Sequence, residues 1–330
     1  MKAVVYRRFG SPDVLEYEEI DKPTPKDDEV LIRVHAASVN PFDRYLIRGE
    51  PYLVRFIVGL SRSKVKRPGV DVSGLVEATG RKVTRFRPGD EVFGSCRGSF
   101  AEYVCAPESA LVTKPGNVTF EQAASVPVAG YTALQALRNK GHVRAGQKVL
   151  INGASGGVGT FAVQIAKSFG ADVTGVCSTR KGEMVRSIGA DQVIDYTRED
   201  FTRSGRLYDL ILDNAGNHSL SALRRVLTPG GTCVIVGGPY RGAIPLLARL
   251  IGAIGSAPFS SRKVAIVSAR RNKEDLAILR DLMEAGKVTP VVDRVYRLSE
   301  AAQAVQYLEQ GHARGKVLIA IEHGENGGLP

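Results

Sequence analysis

Four glycines, at positions 153, 156, 157 and 159, stand in the stretch KVLINGASGGVGTFAVQIAKSF that runs from Lys148 to Phe169. The stretch opens with the apolar run Val149, Leu150 and Ile151. Apolar residues return at Val158, Phe161, Ala162, Ile165, Ala166 and Phe169. That second spacing is helical, so the segment reads as strand, glycine turn, helix. Glycines in such a turn serve three ends: a tight reversal, an unobstructed approach for a pyrophosphate, and close packing of helix on strand. The first N–H groups of the helix lack intrahelical partners and attract anionic oxygens. Gly153, Ser155, Gly156, Gly157, Val158 and Gly159 are therefore the candidate dinucleotide-binding residues. The strand–turn–helix context carries more weight than the glycines alone.

A site of this kind distinguishes its cofactor at the end of the second strand, where Asp or Glu bonds the ribose 2′-hydroxyl of NAD. Here the corresponding run is Val176, Cys177, Ser178, Thr179, Arg180, Lys181, with no acid. Two hydroxyls and two cations suit a 2′-phosphate, which Arg grips through paired N–H donors. Ser178, Thr179, Arg180 and Lys181 are read as phosphate contacts and NADP(H) as the expected cofactor. A solvated basic turn at a helix start is the alternative reading of the same residues.

The elements that position these residues follow from periodicity. After residue 148 strands and helices alternate: strands at 171–177, 192–195, 208–213, 232–236 and 263–268, helices at 182–188 and 219–227. That alternation predicts an α/β fold with a doubly wound parallel sheet of Rossmann type. The first 120 residues differ. Strands at 2–6, 14–20, 30–34, 70–78, 91–94 and 100–105 are separated by proline and glycine turns, which makes this part mostly β. Within it Asn40, Pro41 and Asp43 fit the N-cap, first position and first turn of a short helix ending before Gly49. The segment from Phe120 to Gly141 is helical with a break at Pro127. Asn272 caps an amphipathic helix stopped by Gly286, Ser299 opens another stopped by Gly311, and 316–321 is a last strand. The tail HGENGGLP reads as disordered.

At 330 residues the chain has room for about two domains, and its 43% hydrophobic and 24% charged residues are ordinary for a globular protein. The net charge of +11 raises the question of an anionic partner. The densest basic cluster, Arg62 to Arg67, is short and accompanied by no nucleic-acid motif, so no nucleic-acid partner is expected. Four cysteines, at 96, 105, 177 and 233, lack paired ligand spacing and suit a reducing compartment. No targeting peptide or membrane span is read; the nearest apolar segment, 243–259, is interrupted by Arg249. The cytoplasm is the expected location.

The segments ASVNPFD, PGVDVSG, GSFAEYV, PVAGYTAL, GASGGVG, CSTRK, GADQVIDY and ARGKVLI together resemble the medium-chain dehydrogenase/reductase superfamily, and within it the zinc-independent quinone oxidoreductase branch. The resemblance implies a mostly β, GroES-like catalytic domain at 1–125 and 270–330 and a Rossmann domain at 126–269. Zinc enzymes of the superfamily place a cysteine near position 40 and Gly-His-Glu near 70. Asn40 and Gly69-Val70-Asp71 stand there instead, so no metal is expected. Without zinc, the hydride acceptor must itself be electrophilic, a quinone or an α,β-unsaturated carbonyl, and the protein supplies orientation and hydrogen bonds to the developing oxyanion. By resemblance Asn40 and Tyr45 line the pocket, Thr132 lies near the nicotinamide, Tyr196 lies beside the 2′-phosphate, and Asn214 and Gly237 belong to the cofactor site. Tyr45 reads equally well as a hydrogen-bond donor or as a packed side chain, and Asp43 as a structural cap. The resemblance, with the apolar strand near 264–267, also implies a homodimer. The alternatives are an alcohol dehydrogenase or carbonyl reductase of the same fold, or a non-enzymatic NADPH-binding protein.

Overall fold

The computed structural model describes residues 1–50, 65–237 and 261–323. Residues 62–64 of the basic cluster, the apolar segment 243–259 and nearly all of the tail lie outside the described residues. The chain divides into two compact units, one of Met1–Val128, Arg271–Glu284 and Val292–Pro330, the other of Ala129–Arg270 and Ala285–Val291.

In the first unit, β1 (Lys2–Val5) pairs with β2 (Glu16–Glu19), and β3 (Glu29–Val39) is the centre of a seven-stranded sheet. The alternation in the sequence predicts only 30–34 of β3. The strand runs on through Ala36, Ala37, Ser38 and Val39, all buried, because small residues let strands close in on both sides. Helix α1 (Pro41–Arg48) follows directly. Then come β4 (Asp71–Thr79), β5 (Glu91–Ser95), β6 (Tyr103–Pro107) and β7 (Leu111–Thr113), and helix α2 (Phe120–Ala124). Val30, Ile32, Val34, Val72, Val76, Val92, Phe100 and Val104 form the heart of the core between these strands.

Helix α3 (Pro127–Gln135) starts at the proline that breaks the helical run, where a missing N–H does no harm. The second unit then builds a six-stranded, wholly parallel sheet from β8 (Lys148–Asn152), β9 (Asp172–Cys177), β10 (Gln192–Asp195), β11 (Tyr208–Asp213), β12 (Leu227–Ile235) and β13 (Lys263–Ile266). Their spatial order is β10-β9-β8-β11-β12-β13. The order reverses between β8 and β11, and in such sheets ligands bind beyond the carboxyl ends of the strands at that point. Helices α4 (Gly157–Ser168), α5 (Gly182–Ser187) and α6 (Leu220–Arg225) are the connections.

The chain then returns to the first unit. Asn272 caps α7 (Lys273–Glu284) through its Oδ1, which accepts from Asp275 N at 2.9 Å. A short excursion, Ala285–Val291, is tied to the second unit by Gln164, whose amide bonds Thr289 O at 3.0 Å and Thr289 N at 2.7 Å. Strand β14 (Val292–Arg297) was not expected from the sequence. It is an edge strand whose sequence, VDRVYR, has the charged residues that protect an edge and lacks an apolar alternation. Helix α8 (Ala301–Glu309) and β15 (Lys316–Ala320) complete the sheet. No helix among the described residues is long and apolar enough to cross a membrane, and none of the four cysteines forms a disulfide.

Candidate functional site

The glycine turn assigns a different task to each of three glycines. Gly153 has φ 82°, a conformation that glycine adopts without strain, and its N–H bonds Val176 O at 3.1 Å. Gly159 sits so close to the turn that a Cβ there would stand 2.1 Å from Gly153 O. Gly156 is the N-cap of α4, with ordinary extended backbone, and a Cβ on it would meet only Gly153 O, at 3.6 Å. The space in front of Gly156 is thus open, and Gly156, Gly157 and Val158 are half-exposed at the helix start. Ser155 is buried beside them.

The neighbouring strand end is fixed by hydrogen bonds. Asn152 donates to Asp213 Oδ1 and Asn217 Oδ1, both at 2.8 Å, and Gly216 N donates to Asp213 at 3.0 Å. These bonds fix the loop after β11. At its head stands Asn214, whose side-chain N and O are both buried with no hydrogen-bond partner among the described residues. Gly237 packs on it so tightly that a Cβ would lie 2.3 Å from Asn214 O. A buried amide with neither bond made costs free energy unless a ligand supplies the partners. An open glycine cradle at a helix N-terminus beside an orphaned amide fits a dinucleotide.

Ser178, Thr179, Arg180 and Lys181 form a single 3₁₀ turn at the end of β9, with Thr179 and Arg180 exposed. Tyr196 is also exposed, held next to the turn by its N–H on Cys177 O at 3.1 Å. The sequence shows no acid at this strand end, and yet the structure has one nearby. Asp195 of β10 lies in register with Cys177 and its carboxylate accepts a short hydrogen bond from the Thr179 hydroxyl. Thr132 lies half-buried on α3 in this unit.

Asn40 and Tyr45 belong to the first unit. Asn40 occupies the N-cap of α1 with extended backbone, and its N–H donates to Asp43 Oδ2 at 2.8 Å. Its buried side-chain amide is engaged at both ends. Oδ1 accepts from Lys316 Nζ at 2.6 Å, and Nδ2 donates to Asp71 Oδ2 at 2.9 Å and faces Ser38 Oγ at 3.3 Å. Sheet register explains the meeting. Val317 of β15 opposes Val39, so Lys316 comes level with Asn40, while Ser38 opposes Asp71 of β4. Ser38 Oγ donates to Asp71 Oδ2 at 2.7 Å and Val128 N to Asp71 Oδ1 at 3.1 Å. Lys316 and Asp71 are 3.6 Å apart, both essentially without solvent contact.

Asp43 is buried too, accepting from Gly69 N at 3.0 Å, a close approach that Gly69 permits because a side chain there would collide with Ser99 and Phe100. Burial, with the Asp71 charge adding to it, pushes the Asp43 carboxyl up to about 7 against those N–H bonds. Burial also raises Asp71 and lowers Lys316, and the attraction between them works against both shifts. Lys316 lies in the segment ARGKVLI, but the sequence assigns it no role and it reads there as the ordinary charged start of an apolar strand.

Tyr45 is half-exposed on α1, with the Arg44 guanidinium 5.4 Å from its ring centre. Its hydroxyl makes no hydrogen bond among the described residues. The helix is held by Ile47 in the core and by Glu309 of α8, which takes Arg44 Nε at 3.1 Å and Arg48 through two bonds of 2.6 and 2.7 Å.

Among the described residues no three His, Cys, Asp or Glu side chains group to hold a metal. The donor set at 40 and 69–71 does not fit zinc: the Val70 side chain offers no ligand atom, Asn40 already accepts from the Lys316 ammonium, and Asp71 is ion-paired with it.

Comparison with known proteins agrees with this architecture. Residues 26–116 match the family model described as alcohol dehydrogenase GroES-like domain, and residues 188–319 that described as zinc-binding dehydrogenase. A quinone oxidoreductase of Sus scrofa is 35% identical over 97% of this chain and 98% of its own. The solved quinone oxidoreductase of Coxiella burnetii superposes with a TM-score of 0.84 at 32% identity, covering 98% of this chain and 99% of that one. Mycobacterial Rv1454c, solved with NADPH, gives a TM-score of 0.79 at 28% identity, covering 97% and 100%. The sheet order, the glycine turn and these full-length similarities make the chain an oxidoreductase that belongs to the quinone oxidoreductase family of the medium-chain dehydrogenase/reductase superfamily.

Proposed function

We propose that this protein is an NADPH-dependent, zinc-free reductase of quinones or α,β-unsaturated carbonyls. The observation that carries the reading is the Lys316–Asn40–Asp71 network, which puts a protein cation among the positions where a metal-dependent relative would place ligands. Hydride transfer then has no protein-held Lewis acid to polarise a simple carbonyl, which favours an acceptor that is already electrophilic. The bound cofactor supplies the hydride. The α4 N-terminus and the cradle at Gly153, Gly156 and Gly157 hold the pyrophosphate, and the Asn214 amide gains the partners it lacks. Ser178, Arg180 and Lys181 offer donors to the 2′-phosphate, with Tyr196 beside them, and the mycobacterial relative solved with NADPH supports that choice. Tyr45, with its hydroxyl unengaged on a pinned helix, is the candidate donor to the oxygen that becomes anionic, and Thr132 a candidate contact of the nicotinamide. Asn40 acts by holding α1 in place.

The test is NADPH oxidation with a panel of quinones and enones after exhaustive chelation. Turnover is expected to survive at its untreated rate. A stoichiometric zinc whose removal stops turnover overturns the zinc-free reading, and reduction of simple ketones in preference to quinones overturns the acceptor class.

The reading extends to a homodimer in a reducing cytoplasm. Strand β13 is a sheet edge whose outer side is unpaired among the described residues and whose Ile266 is exposed, an arrangement that invites pairing with a second copy. Light scattering is expected to give twice the 35.5 kDa chain mass; a single-chain mass at micromolar concentration counts against it.

A further inference from the structure

The end of β9 carries two hydroxyls and two cations, and the sequence alone reads it as a site for phosphate without an acid. The fold changes its composition. Parallel pairing sets Asp195 of β10 opposite Cys177, one residue before the turn that holds Ser178, Thr179, Arg180 and Lys181. The Asp195 carboxylate accepts from the Thr179 hydroxyl on one oxygen. On the other it accepts from Thr197 N at 3.0 Å and Thr197 Oγ1 at 2.7 Å. Arg198 Nε stands 3.5 Å away on an exposed side chain.

Two consequences follow for a ribose arriving at this turn. The Thr179 hydrogen is committed to Asp195, so that hydroxyl presents lone pairs, and lone pairs repel a phosphate while accepting from a hydroxyl. The carboxylate itself is a fixed negative charge at the strand end, where NAD-binding folds carry the acid that bonds the 2′-hydroxyl. Hydrogen bonds from Thr179 and then Thr197 hold the Asp195 carboxyl below the usual carboxylate range, so it is ionised at neutral pH.

We propose that Asp195, delivered by β10 to the end of β9, is a specificity-determining residue for the cofactor: it accepts the 2′-hydroxyl of an unphosphorylated ribose and opposes a 2′-phosphate, so that the protein uses NADH as well as NADPH. The proposal rests on the dinucleotide reading above, and the experiment separates the two. Binding of two fragments, ADP-ribose and 2′-phospho-ADP-ribose, is measured by calorimetry on the cofactor-free protein for the wild type, Asp195→Asn, Asp195→Glu and the double variant Arg180→Ala/Lys181→Ala. Asn keeps an acceptor for Thr197 N and so preserves the local turn. For Asp195→Asn the preference for the phosphorylated fragment is expected to rise about tenfold, and the rise to shrink in added salt, because the site is exposed. Asp195→Glu is expected to keep the wild-type ratio. The Arg180/Lys181 variant is expected to lose affinity for the phosphorylated fragment alone; if it loses neither while Asp195→Asn still shifts the ratio, the basic residues are wrong as phosphate readers and the Asp195 assignment stands. A ratio unchanged in Asp195→Asn, with the fold intact by circular dichroism, overturns the proposal. Failure of both fragments to bind the wild type overturns the dinucleotide reading and this assignment with it.

Discussion

Gly156→Val is expected to abolish NADPH binding while leaving the fold intact. The backbone at Gly156, φ −85° and ψ 175°, is open to any residue, and a Cβ there has free space with its nearest neighbour at 3.6 Å. The branched side chain therefore does not disturb the turn. It fills the volume through which a pyrophosphate must reach the helix N-terminus. Two lost charge-assisted bonds, at roughly 1.5–3 kcal/mol each, exceed a hundredfold in affinity. Fluorescence titration of the cofactor-free protein reads the affinity, and circular dichroism the fold. Gly159 is the contrast: its Cβ would stand 2.1 Å from Gly153 O, so Gly159→Val breaks the turn itself. Unchanged affinity in Gly156→Val would mean that the phosphates lie elsewhere.

Lys316→Met carries the second large effect, this time on stability. It leaves Asp71 buried without its cation and takes the 2.6 Å bond from Asn40. Removing one partner of a buried pair costs about 3–5 kcal/mol, whereas removing both is often near neutral. Lys316→Met should therefore lower the urea midpoint strongly, and Asp71→Asn/Lys316→Met should recover most of the loss. The sign with pH follows from Asp71, whose carboxyl is already raised by burial and rises further without the ammonium. Stability held by a raised carboxyl is full at low pH and is lost as pH climbs through the folded value, so the deficit of the single variant should widen toward alkaline pH. A single variant as stable as wild type, or a double variant as weak as the single, would mean that the pair does not hold the sheet.

The parallel sheet and its glycine turn were legible because each strand is a short apolar run bounded by turn residues, and because Gly153, Gly156 and Gly159 are local in sequence. Helix ends at Asn272, Gly286 and Gly311 were legible for the same reason. What stayed hidden depended on register. Asp195 reaches Thr179, and Lys316 reaches Asn40 and Asp71, only through strand pairing across long separations, and no local pattern encodes which residues come level. Asn40 shows the effect most plainly. As an N-cap candidate its position was right, but its amide is engaged at both ends because β15 and β4 flank it. Strand β14 was missed because an edge strand written with charges has no buried face to give it a period.

The interleaving of the two units also sets an order for assembly during translation. The parallel sheet is almost contiguous in the chain, so it can close as soon as its last strand leaves the ribosome. The other sheet cannot. Its central strand, β3, is made early but lies between β4 and β15, and β15 is made after the whole parallel sheet. Until then Ser38, Asn40 and Asp71 face an open sheet edge with no ammonium among them. Such an intermediate exposes both a strand edge and an unmatched carboxylate until the last strand of that sheet is made.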